Sequence, residues 1–288
     1  MASIRKILLP VEFPNTSLDV LHQSVLLAGH FKAQIVMLHV VTATSHAADI
    51  PYPGQEPPGW DLLARILQDA QKQQDQSLAS ELHGIPIQCL LTGGDPARTI
   101  LRTAQTENTD LIMMSSHGFI FDQFLLDSVT ATVLQTAPQP IWTGAHIEES
   151  PSHPFSIRKV LCAVDLGPRS DDAISWASEI ATEFSARLTL AHVTAGVELW
   201  GPGGWHVDQE WKEALVSDAS QRIAKLESET GIKAEVFIGS GDVPKVLSQA
   251  AKQANADLLV NGCYPYGGNL RTQVYGIISA VPIPILSV

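Results

Sequence analysis

Arg5-Lys6-Ile7-Leu8-Leu9-Pro10-Val11-Glu12 stands near the start of the chain, and Arg158-Lys159-Val160-Leu161-Cys162-Ala163-Val164-Asp165 repeats its pattern. Outward from both stretches the echo continues. Each leads into a helix-like segment and then into an apolar run, Ile35-Val36-Met37-Leu38-His39-Val40 in one half and Leu188-Thr189-Leu190-Ala191-His192-Val193 in the other. Gly94-Asp95-Pro96 returns as Gly241-Asp242-Val243-Pro244, and Asp110-Leu111-Ile112-Met113 as Asp257-Leu258-Leu259-Val260. Pro138-Gln139-Pro140-Ile141 returns as Pro282-Ile283-Pro284-Ile285. A period this long marks a duplicated domain, because each copy carries enough elements to close its own core.

The opening runs, Ile7–Val11 and Val160–Val164, have the length and apolarity of strands buried on both faces. Helices follow, with Ser17 and Ser170 as expected N-caps and Asp171 and Asp172 at the positive end of the second. Second strands over 34–41 and 187–193 lead into Pro/Gly-rich segments read as loops, among them Gly201-Pro202-Gly203-Gly204. Long polar helices are predicted over about 61–83 and 209–230. Third strands (87–91 and 234–238) precede the Gly-Asp turns, where Gly frees the backbone, Asp caps and Pro suits the first helical turn. Fourth strands (111–114 and 258–260) run into a loop, a short helix and last strands at 141–143 and 285–288. Strands alternating with helices mean βαβ crossovers and largely parallel sheets. The boundaries expected are residues 1–143 and 158–288, joined by an aperiodic linker at 144–157.

Bulk properties narrow the function. A net charge of -12, with no Lys or Arg run longer than two residues, argues against a nucleic-acid partner. Apolar runs are strand-sized, so no membrane span is expected, and the N-terminus lacks a basic-then-apolar leader pattern. Cys89, Cys162 and Cys263 have no paired spacing, which fits a reducing, cytoplasmic setting and gives neither a disulfide framework nor a zinc site. Cys162 reads as a small core residue.

In an open parallel sheet, ligands settle at the carboxyl ends of strands. Glu12 and Asp165 stand there after the first strands. After the fourth strands come Ser115-Ser116-His117-Gly118 through Asp127-Ser128, and Gly262-Cys263-Tyr264 through Arg271-Thr272. A loop feeding a helix N-terminus suits an anion, and glycines let backbone N–H groups approach it.

With these residues in place, the chain resembles a tandem, two-domain member of the universal stress protein family. The openings, the Leu-His-Val second strand, the Gly-Asp-Pro turn, Ser-Ser-His-Gly and Pro-Gln-Pro-Ile fall in family order, twice over. The resemblance implies two tandem Rossmann-like (adenine-nucleotide alpha-hydrolase-like) α/β domains, each a five-stranded mainly parallel sheet flanked by helices. It also implies a possible ATP or other adenine-nucleotide site, with Mg only alongside nucleotide. In such a site an Asp after strand 1 takes the adenosine part, a backbone position at the end of strand 2 reads adenine, and a Gly-x2-Gly-x9-Gly-Ser/Thr loop holds phosphates.

Carried onto this sequence, the second copy keeps Asp165, Val193, Gly262 and Thr272. It has Arg271 where the last loop Gly would stand, a charge suited to an anion. Its loop is shortened, and Gly267-Gly268 has no clear register. The first copy has Glu12 for the Asp, Val40 at the adenine position, Ser115 for the first Gly, and retains Gly118 and Ser128. Asp127 replaces the last Gly, and like charges ~4 Å apart cost about 4 kcal/mol at a surface-like dielectric. The expectation is one adenine-nucleotide site at most, in the second copy, with the first degenerate. Alternatives from other classes are a scaffold acting through paired domains and a weak ATPase. The last lacks a residue set pairing water with a metal.

Other residues invite sharper readings. His39 and His192 occupy matching strand positions and are read as structural, since no second ligand stands at regular spacing. His117 is read as a family-like loop residue; a metal role for His46 has no support. Trp200, Trp205 and Trp211 either pack over their own domain or wall a ligand. The apolar end strand 282–288 is expected to pair with 138–143, within one chain or in a homodimer.

Overall fold

Ile7, Leu8 and Leu9 are buried on both faces of a strand, and Val160, Leu161 and Cys162 repeat the arrangement, so each half builds outward from a central parallel strand. The computed structural model describes residues 4–12, 17–42, 64, 67–68, 78–115, 128–144, 155–167, 170–196, 198–201, 204–207, 209–262 and 270–288. They divide into two units, one within Ser3–Gly144 and one within Ser156–Val288.

The first unit runs β1 (Lys6–Pro10), α1 (Leu18–Phe31), β2 (Gln34–Val41), α2 (Leu78–Glu81), β3 (Ile87–Gly93), α3 (Pro96–Thr106), β4 (Leu111–Met114), α4 (Ser128–Thr136) and β5 (Ile141–Thr143). Its strands lie in the order β3-β2-β1-β4-β5, each pairing parallel to its neighbour.

The second unit runs β6 (Lys159–Ala163), α5 (Ser170–Glu183), β7 (Arg187–Thr194), β8 (Glu198–Gly201), β9 (Gly204–Val207), α6 (Gln209–Thr230), β10 (Glu235–Ser240), α7 (Val243–Ala254), β11 (Leu258–Asn261), α8 (Leu270–Ala280) and β12 (Ile285–Ser287). Its strand order, β10-β7-β6-β11-β12, is the same and again parallel. Both are Rossmann-like sheets whose order reverses beside the first strand, which opens a crevice at the carboxyl ends there.

The repeated sequence signals have repeated causes. Oδ2 of Asp110 accepts the backbone N–H groups of Arg5 and Lys6 at 2.8 and 2.9 Å, and Asp257 does the same for Arg158 and Lys159 at 2.8 and 2.9 Å. Each carboxylate thereby ties the start of the fourth strand to the start of the first. Asp95 and Asp242 cap α3 and α7 through the N–H groups of Arg98 and Lys245, behind Gly94 and Gly241 at φ 137° and 123°. Lys32 and Ser185 end α1 and α5 in the left-handed region, and Asn108 and Asn255 do so after α3 and α7. In the first unit, buried Trp142 donates its indole N–H to Gln23 at 2.6 Å, so its polar end is satisfied inside the core.

Three local expectations are corrected. Ser17 occupies the N-cap position of α1 but makes no side-chain cap bond, and Ser170 is the first residue of α5 with its hydroxyl turned to Asp165. The segment around Gly201–Gly204 belongs to an antiparallel hairpin, β8 with β9, in which Trp200 stands opposite Trp205. Strand β11 extends through Asn261, one residue beyond the apolar run. The side chains of Trp200 and Trp205 lie outside the described residues; Trp211 is 61% exposed on α6. The helix expected over 61–83 falls largely outside the described residues, its end surviving as α2.

Candidate functional site

A cavity of about 210 Å³ opens in the second unit where the strand order reverses, at the carboxyl ends of β6, β7 and β11. Its polar wall holds Asp165, Ser170, His192 and Asn261; valine, leucine and isoleucine side chains from α7 and α8 face it. Three of the five residues proposed from sequence for this copy, Asp165, Val193 and Gly262, meet there. The side chains of Arg271 and Thr272, at the start of α8, lie outside the described residues, as do Cys263, Gly267 and Gly268.

Asp165 is shaped by its own turn. Its Oδ1 accepts the Gly167 N–H at 2.8 Å and the Ser170 hydroxyl at 2.7 Å, a local side-chain bond that fixes the carboxylate. Oδ2 takes no hydrogen bond from the described residues. A Cβ on Gly167 would stand 3.0 Å from Oδ1, a tight contact that the carboxylate would have to relieve by shifting a few tenths of an ångström. Between them Leu166 holds φ at 58°, left-handed for a buried leucine, and Nη2 of Arg222 on α6 donates to its carbonyl at 2.6 Å. A non-glycine residue stays there only when its surroundings over-determine it.

His192 lines the cavity with Nδ1 2.8 Å from the Val164 carbonyl. A carbonyl only accepts, so Nδ1 carries the hydrogen. His39 makes the matching contact to Val11 at 3.0 Å. Both histidines brace the turn after the first strand, the structural role expected. His46 and His117 lie outside the described residues. Among the described residues, no group of three or more His, Cys, Asp or Glu side chains stands close enough to hold a metal. Cys162, next to the site on β6, is fully buried, and burial pushes its thiol up to about 12, which rules it out as a nucleophile near neutrality.

Asn261 was missed by the sequence reading. It is 3% exposed, donates Nδ2 to the Gly262 carbonyl at 3.1 Å, and accepts the Ser287 hydroxyl on Oδ1 at 3.1 Å. The signal lay in the other copy. Residues 5–41 align on 158–194 without a gap, as do 94–115 on 241–262. The structure supports that register: the Val11 N–H bonds the Leu38 carbonyl as the Val164 N–H bonds that of Ala191. Where the second unit lines its cavity with Ala163, Ala173, Ala191, Asn261 and Gly262, the first has Pro10, Val20, Leu38, Met114 and Ser115. These five exchanges are towards greater bulk, whereas lining residues Val243 and Leu247 have the smaller Pro96 and the isomeric Ile100 as counterparts. Val20, Leu38 and Met114 are buried, and Val20 packs so tightly on Gly144 that a Cβ there would overlap it. Glu12 and Val40 sit half-buried at their strand ends; Gly118 and the Ser128 side chain lie outside the described residues.

The universal stress protein family model matches residues 3–143 and again residues 156–272. The chain belongs to the universal stress protein family. Curated relatives are single-copy in length. Universal stress protein A of Escherichia coli K12 is 26% identical over 137 residues, 46% of this chain and 95% of its own. The Haemophilus influenzae homolog is 28% identical over 134 residues, 46% of this chain and 95% of its own. Among solved structures, a universal stress protein from Archaeoglobus fulgidus superposes with a TM-score of 0.67 at 21% identity, over 99% of this chain and 96% of that one. A functionally unknown protein from Pseudomonas aeruginosa reaches 0.69 at 17% identity, over 100% and 93%. At such identities the superpositions show the shared α/β fold. Among the described residues of this universal stress protein, no helix is long and apolar enough to cross a membrane.

Proposed function

We propose that this tandem universal stress protein is a stress-response ligand sensor of the cytoplasm, binding one adenine nucleotide or related ligand in its second domain. The observation that carries the reading is the cavity at the sheet's switch point, where Asp165, Val193 and Gly262 converge. Ligand pockets for drug-sized molecules run to about 300–1,000 Å³. At about 210 Å³ the described walls suit the base-and-sugar part, with Asp165 Oδ2 as acceptor for a sugar hydroxyl. Phosphates would extend past Gly262 towards Arg271 and Thr272, with Mg bound only through them. The first domain, with Glu12, Val40, Gly118 and Ser128 in the corresponding positions, is a degenerate site filled by its own side chains. Domain limits of 1–143 and 158–288, with 144–157 as connector, accompany this reading. So do domain pairing through the end strands and a homodimer, with no enzymatic activity beyond a weak ATPase.

Mass spectrometry of small molecules released from the purified protein tests the proposal, together with melting curves in ATP, ADP and AMP. An adenine compound released on denaturation, or a nucleotide-dependent shift that Asp165→Ala removes, is the expected result. A shift untouched by Asp165→Ala moves the ligand away from this cavity. No shift with any of the three, and a stable dimer, would leave the scaffold reading in its place.

A further inference from the structure

We propose that Asn261 is the specificity-determining residue of the second-domain cavity, its buried carboxamide hydrogen-bonding the edge of a planar heterocycle that presents a donor beside an acceptor. This rests on the adenine-binding reading above and adds a side-chain contact on the ring edge to the backbone position at Val193.

The orientation of the amide follows from its neighbours. The Gly262 carbonyl can only accept, so the atom facing it at 3.1 Å is the NH2 group, which turns Oδ1 to the Ser287 hydroxyl. Each of these contacts uses half of what its atom offers. Among the described residues, one N–H and one oxygen lone pair of Asn261 take no hydrogen bond, on a side chain that is 3% exposed and lines the cavity. A half-paired amide at the cavity wall favours a ligand that completes its hydrogen bonds, and Met114 on the first domain's β4 shows that an apolar residue fits the same strand position. The polar residue therefore has a use that the methionine does not serve. An amide's donor–acceptor edge pairs in two-point fashion with the amino and ring-nitrogen edge of adenine. Val243 and Leu247 on α7, with Val274 and Ile277 on α8, supply apolar surfaces for the faces of a flat ring. Ser287, 2% exposed on β12, is a positioning residue that holds the amide without lining the cavity.

The test is titration calorimetry of the full chain with adenosine and with purine riboside, which lacks the exocyclic amino group. Wild type should prefer adenosine. Asn261→Met, which installs the first domain's residue, should bind adenosine about 5- to 150-fold more weakly, the range for losing one two-point contact. It should discriminate less between the two nucleosides than wild type does. Ser287→Ala should narrow the preference while circular dichroism shows an unchanged fold, which keeps the idea testable if Asn261→Met unfolds. Adenosine bound with its preference intact in both variants overturns the assignment of Asn261 and leaves the adenine site standing. No binding of either nucleoside or of ATP to wild type overturns both.

Discussion

Replacing Ala191 with leucine should close the second-domain cavity to its ligand and leave the domain folded. Ala191 is 1% exposed and lines the cavity from β7; its first-domain counterpart, Leu38, is also 1% exposed. Leucine brings three further carbons. At about 0.8 kcal/mol per buried CH2 their entry into empty space is worth up to about 2.4 kcal/mol. Crowding of neighbours costs roughly 1–3 kcal/mol. The two offset, so the melting temperature without ligand should scarcely move. Ligand at one hundred times its dissociation constant stabilises wild type by about 2.7 kcal/mol, and at about 2–4 °C per kcal/mol the melt rises by roughly 5–10 °C. A hundredfold loss of affinity leaves RT ln 2, about 0.4 kcal/mol, a shift near 1 °C. Scanning calorimetry with and without adenine nucleotide reads both quantities. A full ligand shift in Ala191→Leu refutes the argument that bulk at this position separates the two domains. The reverse exchange, Leu38→Ala, removes carbons from a filled core and should cost about 2–5 kcal/mol in the first domain.

Other consequences follow from particular groups. Asp257→Ala removes the acceptor of two backbone N–H groups and should destabilise the second domain by about 1.5–3 kcal/mol in urea titrations, with Asp110→Ala doing the same to the first. Burial raises the Asp19 carboxyl above its ordinary value of 3.8, partly offset by nearby His22. The folded state then holds this proton more tightly than the unfolded state, so the Asp19 contribution to stability falls as pH rises from 3.8 through the raised value. Asp19→Asn should therefore be more stable than wild type at neutral pH, with the advantage vanishing below that window in pH-dependent denaturation. Cys162, with its thiol near 12, should resist alkylation at pH 8 in the native protein, while exposed Cys89 reacts; peptide mass spectrometry before and after denaturation separates them.

Much of the fold was legible because its signals are local. Asp95 and Asp242 cap through residues three positions on, and the helix over Gln209–Thr230 is bounded by its own polar pattern. The duplication and Asp165 were legible too, since each copy glosses the other. What escaped depends on competition or on distance. Ser170 reads as an N-cap until Asp165, five residues earlier, takes its hydroxyl. Asn261 fell outside the expected strand because asparagine is depleted in strands, yet β11 pairs through it with Ala163 and Ser287. The cavity was invisible along the chain: Ala163, Ala173 and Ala191 each look like ordinary small core residues, and only the sheet brings them to one place.

The direction of the differences between the copies carries the last step. Unselected drift in a packed core tends to conserve volume, with a gain at one position met by a loss at its neighbour. Pro10, Val20, Leu38, Met114 and Ser115 all exceed Ala163, Ala173, Ala191, Asn261 and Gly262 in volume, while Val243 against Pro96 changes the other way, so the net change at the aligned cavity positions is towards bulk in the first domain. A pocket held open at the switch point forgoes the contacts that larger side chains would make there. Larger residues at the same register positions are demonstrably tolerated, because the first domain carries them in the same fold. The second domain therefore carries smaller side chains at five positions where the same fold accepts larger ones. Under the proposed reading, the second domain keeps the receptive site and the first fills the corresponding positions with its own larger side chains.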